Sequence, residues 1–159
     1  MKAIKIKTIS KPDEIYYIAK GTINPIEIVK RVYTMKTFND AINDPYTKKL
    51  IENKHFYLCR YSQGKSICGK LLPSIDPEYI LAPIVNINTL KHGYLTVLAD
   101  DDTYSIIKSY VDAGWKAGMI AKANLDKDVF NNEKVYRINY LNLLGYELVP
   151  PYEQIKIKP

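Results

Sequence analysis

Asn132-Glu133-Lys134-Val135-Tyr136-Arg137-Ile138-Asn139-Tyr140-Leu141-Asn142-Leu143-Leu144-Gly145-Tyr146-Glu147-Leu148 is the stretch on which the fold turns. Glycine enters the left-handed conformation that ends a helix more readily than any other residue. Gly145 therefore predicts a helix over 134–144, with Gly145 at positive φ and a strand over 146–149. The same pattern occurs upstream, where a helix over 103–113 is expected to stop at Gly114. Trp115 then leads into a small-residue strand over 117–123. In both places glycine supplies the cap and the following aromatic covers a sheet.

Working outward, 93–99 reads as a strand through Leu95 and Val97, and 79–87 as an extended stretch among Pro73, Pro77 and Pro83. Two runs of strand formers, 56–61 and 66–72, flank Ser62-Gln63-Gly64-Lys65. A short turn with glycine between such runs predicts a hairpin. The N-terminal third begins with a strand over 3–8, with Ile4 and Ile6 on one face. Helical segments are expected after it. Lys11-Pro12-Asp13-Glu14 is a start signal for a stripe of Ile15, Ile18 and Ala19 ending at Gly21. Asn24-Pro25 precedes Ile26, Val29 and Tyr33, and Asp44-Pro45 precedes 46–53. Gln154 to Lys158 alternates as a last strand would.

A chain of 159 residues, 47% hydrophobic and 25% charged, has the size and composition of one domain over 1–159 with its own core. The N-terminus alternates charged and apolar residues, unlike a signal peptide, and no apolar run reaches membrane-spanning length. A cytoplasmic location is the expectation, with no membrane partner. Cys59 and Cys68 are too few for a disulfide framework and are expected to serve as small buried apolar residues. His55 and His92 are not spaced to complete a zinc site with them, so no metal is expected. The net charge of +6 suits an anionic partner, coenzyme A or nucleic acid. The lysines are scattered and the 14 tyrosines dispersed, so a nucleic-acid partner would rest on charge alone and is not expected.

The order strand, helices, hairpin, strand, helix, strand, helix, strand, strand resembles the GCN5-related N-acetyltransferase (GNAT) superfamily. The hairpin 59–69, the strand-to-helix turn 5–14 and the closing segment 132–148 with its Leu-Gly-aromatic ending carry the likeness. The resemblance implies an α/β (α+β) fold, a mixed central sheet of about six to seven strands flanked by helices. It also implies an acyltransferase that moves an acetyl group from acetyl-CoA to an amine of a small molecule or protein.

In that family the cofactor lies between two splayed strands, with its pyrophosphate on backbone N–H groups at the next helix start. Two registrations are open here. One uses Lys91, His92 and Gly93 as the loop; the other uses Val97, Ala99 and Thr103. In the second, Asp100, Asp101 and Asp102 take the place of the family's glycine-bearing turn and would repel a pyrophosphate. Read without the family, they are a helix N-cap and its first acidic turn.

The family's thiolate-protonating tyrosine matches Leu141, with Tyr140 one place away, so Tyr140 is the candidate acid. Glu78 is the candidate base, with His92 as an alternative. The competing expectation is a chain that has lost acetyl-CoA binding. It would be a non-catalytic GNAT-like binding protein or a virion-associated phage protein, engaging a protein partner.

Overall fold

The computed structural model describes residues 1–9, 15–20, 27–32, 35–63, 75–88, 93–130 and 133–154. Its strands are β1 (Lys2–Lys7), β2 (Ile15–Lys20), β3 (Glu27–Val32), β4 (Tyr57–Cys59), β5 (Ile80–Ile87), β6 (Tyr94–Ala99), β7 (Lys116–Phe130) and β8 (Glu133–Val149). Its helices are α1 (Met35–Ile42), α2 (Pro45–Glu52), α3 (Asp101–Asp112) and the single turn α4 (Pro151–Gln154). The class is mixed α+β.

All eight strands belong to one sheet, ordered β1-β6-β5-β4-β8-β3-β2, with β7 on the other edge of β8. The sheet curls until β1 meets β7. Thr8 bridges Ala117 in parallel, and the Ile9 N–H donates to the Ala117 carbonyl at 2.9 Å. Six strands, β1, β6, β5, β4, β8 and β7, thus surround an almost closed barrel. The far halves of β7 and β8 continue beyond it, where β3 pairs in parallel with β8 from Lys30↔Val135 to Val32↔Arg137. The antiparallel β2 completes that extension.

The core lies inside the curl and under the helices. Ile6, Leu58, Ile84, Leu95, Val97, Ala117 and Tyr146 are wholly buried. Phe56 meets Tyr146 edge-on at 6.5 Å. Phe38, Ala41 and Ile42 of α1 cover Leu141 and Leu143, and Ile107 of α3 seals the β1–β6 side. Each buried Val, Leu, Ile or Phe among them contributes about 1.5–3 kcal/mol by leaving water.

Local signals hold where a cap decides the element. Asp44 caps α2 with Pro45 behind it, and Asp100 caps α3 by accepting from the Thr103 N–H at 2.8 Å. Gly114, just past α3, has φ +91°. β1, β5, β6 and the start of β7 also lie where the sequence put strands.

Three expected helices are strands. Residues 134–144 belong to β8, and the stretches holding Ile15 to Ala19 and Val29 are β2 and β3. In β8 the reason is two bulges. Ala121 pairs with Leu143 and Ile120 with Gly145, so Leu144 is an extra residue; Asn139 is another between Tyr140 and Ile138. Each bulge shifts the two-residue alternation by one place. Buried Leu141, Leu144 and Leu148 then fall at the three- and four-residue spacing of a helix stripe. In β2, Ile-Tyr-Tyr-Ile is rich in the branched and aromatic residues that suit a pleated surface. The wall β8 supplies to β3 outweighs the weak helical spacing.

The expected hairpin is also revised. Both edges of β4 are taken: Leu58 pairs with Ala82 of β5 and with Tyr146 of β8. The proposed second arm, 66–72 with Cys68, lies outside the described residues, as does most of the proposed strand at the C-terminus. Gln154 itself ends α4.

Candidate functional site

A half-open cleft of about 420 Å³ lies where the turn between α1 and α2 faces β8. Thr37, Asp40 and Ala41 of α1, Asn43, Asp44 and Pro45 of the turn, and Tyr140 and Leu141 of β8 line it. The cleft follows from the amphipathic build of its elements. Phe38, Ala41 and Ile42 turn inward onto Leu141 and Leu143, leaving Thr37 and Asp40 at the rim. Successive strand residues point to opposite faces, so Tyr140 and Leu141 differ: Tyr140 is 53% exposed, Leu141 6%.

The two carboxylates there accept hydrogen bonds. Asp40 takes a 2.8 Å hydrogen bond from Lys36, which raises the lysine pKa through that bond and then through the carboxylate charge. Asp44 accepts from the Tyr46 N–H at 3.3 Å. With two carboxylates, an amide, a hydroxyl and a phenol, the cleft is equipped to hold hydrogen-bond donors or a cationic side chain. Among the described residues no histidine or cysteine lines it.

The candidates named from sequence do not converge. Tyr140 stands at this cleft. Glu78 lies in a short 3₁₀ turn (Pro77–Tyr79), where its carboxylate pairs with Arg60 at 3.1 Å. Arg60 follows Cys59, which pairs with Glu147, so Tyr140 lies about 20 Å further along β8. Lys91 and His92 are outside the described residues. Gly93 is buried, its carbonyl accepting from both the Thr8 N–H and the Thr8 hydroxyl at 3.1 Å.

Val97 and Ala99 are core residues of β6, and Thr103 sits in the first turn of α3. β6 is hydrogen-bonded along both edges, Val97 pairing with Ile4 of β1 and Ile84 of β5. The splayed gap in which a GNAT cofactor arm lies is therefore not present beside β6. Asp100, Asp101 and Asp102 occupy the helix start as a cap and acidic first turn. The Asp100 carboxyl is held below its ordinary pKa, chiefly by the Thr103 N–H.

Cys59 is buried, and its thiol is pushed up to about 12, first by burial and then by the Glu147 charge. The Glu147 carboxylate accepts from the Ser62 N–H at 3.1 Å. This is the environment of a packed, protonated thiol, not of a nucleophile. His55 is exposed on the loop after α2. Among the described residues no three His, Cys, Asp or Glu side chains converge as a metal site. No described helix is long and apolar enough to cross a membrane.

No family model and no curated protein sequence matches the chain. Among solved structures, the capsid assembly protease gp21 of bacteriophage T4 superposes with a TM-score of 0.52 at 14% identity, covering 94% of this chain and 97% of the other. In fold, the chain resembles a phage capsid assembly protease. The match extends over nearly the whole of both chains. The GNAT resemblance is overturned on both counts. Its closing helix is the strand β8, and the solved structure named above is a protease, not a transferase.

Sequence reasoning did not find Thr37, Asp40, Asn43 or Asp44 as cleft residues. Asp44 was legible as a cap. Nothing local says that its turn faces β8, because that pairing spans about a hundred residues of chain.

Proposed function

We propose that the chain is a phage assembly protein that acts by binding another component of the head, on the fold of a capsid assembly protease. The supporting observation is the fold match, which runs through nearly all of both chains instead of one common motif. Binding is favoured over hydrolysis by what four of the described nucleophiles do. The Cys59 thiol is buried and protonated, and Glu147 beside it opposes ionisation. The hydroxyls of Ser105 and Ser109 donate to carbonyls of their own helix, and that of Thr8 to the Gly93 carbonyl. A nucleophile needs a base within hydrogen-bond reach, and these groups face main-chain acceptors instead.

The test is mass spectrometry of purified heads, both immature and mature, from the phage that carries the gene. The chain is expected among the proteins of the immature head. Its absence from heads at every stage would refute the assembly role. Cleavage of head proteins by the purified chain would refute the binding role.

A further inference from the structure

The lining of the cleft between the α1–α2 turn and β8 reverses the charge of the chain. It holds Asp40 and Asp44 and, among the described residues, no lysine or arginine, whereas the chain as a whole is +6. Neither carboxylate is fully used. Lys36 donates to Asp40 Oδ2, and the Tyr46 N–H to Asp44 Oδ1. An ionised carboxylate has about four acceptor sites, so Asp40 Oδ1 and Asp44 Oδ2 remain able to accept. The Lys36–Asp40 pair is a weak competitor. Its side chains are 84% and 65% exposed, and an ion pair so open to water gives way easily.

The rest of the lining differs in kind. Ala41 and Leu141 are buried and form an apolar floor. Tyr140 is half-exposed on the β8 side, and Asn43 is exposed on the turn. The volume of about 420 Å³ lies towards the lower end of the range, about 300–1,000 Å³, in which proteins hold small ligands. It suits one long side chain better than a broad surface.

A side chain with an aliphatic stem and a cationic head matches both parts, the stem on the apolar floor and the head at the carboxylates. Lysine and arginine share that build, and arginine fits better. Its guanidinium is planar, donates to several acceptors at once, stacks on an aromatic ring and is less strongly hydrated than an ammonium. We infer that the cleft docks an arginine side chain of a partner protein, with its guanidinium at Asp40 and Asp44 and against Tyr140. The inference rests on the binding role proposed above and names the chemistry of the partner's surface.

The test is a titration of the full ¹⁵N-labelled chain with the peptide acetyl-Gly-Ser-Arg-Ser-Gly-amide, followed by amide chemical shifts. Saturable shifts are expected at Asp40, Asn43, Asp44 and Tyr140. Replacing the arginine of the peptide by citrulline keeps its shape and removes its charge, and should weaken binding about fivefold or more. Asp40→Asn with Asp44→Asn should weaken it comparably, and asparagine caps a helix as well as aspartate does, so α2 is kept. Tyr140→Ser should weaken it about two- to fivefold by removing the ring. The same charge change on α3, Asp101→Asn with Asp102→Asn, should leave it within about twofold.

Four results would overturn the inference: no shift at the four amides in the millimolar range; equal binding of the citrulline peptide; unchanged binding by the Asp40, Asp44 double variant; or shifts at those amides with protein concentration alone, which would show that a second copy fills the cleft. None of them bears on whether the chain is present in heads, so this inference and the assembly role fail separately.

Discussion

Gly145 separates the strand from the helix cap that the sequence suggested. In β8 it stands beside the Leu144 bulge, where β4 runs parallel to the strand. A Cβ at this position would lie 2.9 Å from the Tyr57 carbonyl oxygen, with Ile75 at 3.8 Å. That is about half an ångström inside ordinary van der Waals contact. The obstacle is backbone, held in place by the neighbouring pairs Leu58↔Tyr146 and Leu58↔Ala82, so it cannot rotate away. Overpacking of this kind costs about 1–3 kcal/mol, offset by about 0.5–1 kcal/mol from the stiffer unfolded chain.

Gly145→Ala should therefore destabilise by roughly 1–2 kcal/mol, a fall in Tm of roughly 2–8 °C for a chain of this size. The discriminating variant is Gly145→Asn. A left-handed cap tolerates asparagine better than alanine, whereas a steric clash does not. Urea and thermal unfolding followed by far-UV circular dichroism should rank wild type above alanine, and alanine at or above asparagine. An alanine variant as stable as wild type, or asparagine clearly above alanine, would refute the close approach of β4 to β8.

Other consequences can be checked on the same protein. Ile107→Ala should cost about 2–5 kcal/mol in urea unfolding by opening a cavity under α3, while Ile106→Ala, half-exposed on the same helix, should stay within about 0.5 kcal/mol of wild type. Cys59, measured by thiol labelling in a Cys68→Ser background, should react no faster than the protein unfolds; rapid labelling of the native state would contradict its burial. Its raised pKa also has a sign: the stabilisation is complete below the ordinary value of 9.0 and is lost as pH rises towards about 12, so Cys59→Ala should flatten the alkaline fall in Tm. Asp100, with its pKa lowered from 3.8, contributes above that value and loses the contribution as pH falls through its folded pKa. Asp100→Asn should keep the cap but flatten the acid fall in Tm.

Elements whose defining interaction closes within a few residues were determined by the sequence itself. Asp44 reaches the Tyr46 N–H and Asp100 the Thr103 N–H, and Gly114 relieves the turn after α3. Each of these helix ends satisfies its own exposed backbone groups, so the residues present are enough to specify it. The alternation of β1 and β6 was equally plain, because each has one buried face and no bulge between them. The barrel, the extension and the cleft were decided only in the tertiary structure. Val32 finds Arg137, Leu58 finds Tyr146, and Thr8 finds Ala117 across long separations in the chain. A strand leaves its hydrogen-bonding groups unsatisfied until such a partner arrives, so its identity is not a local property. For β8 the two bulges also rewrote the apolar spacing into a helix-like one, and the long β7 alongside it settled which of the two it is.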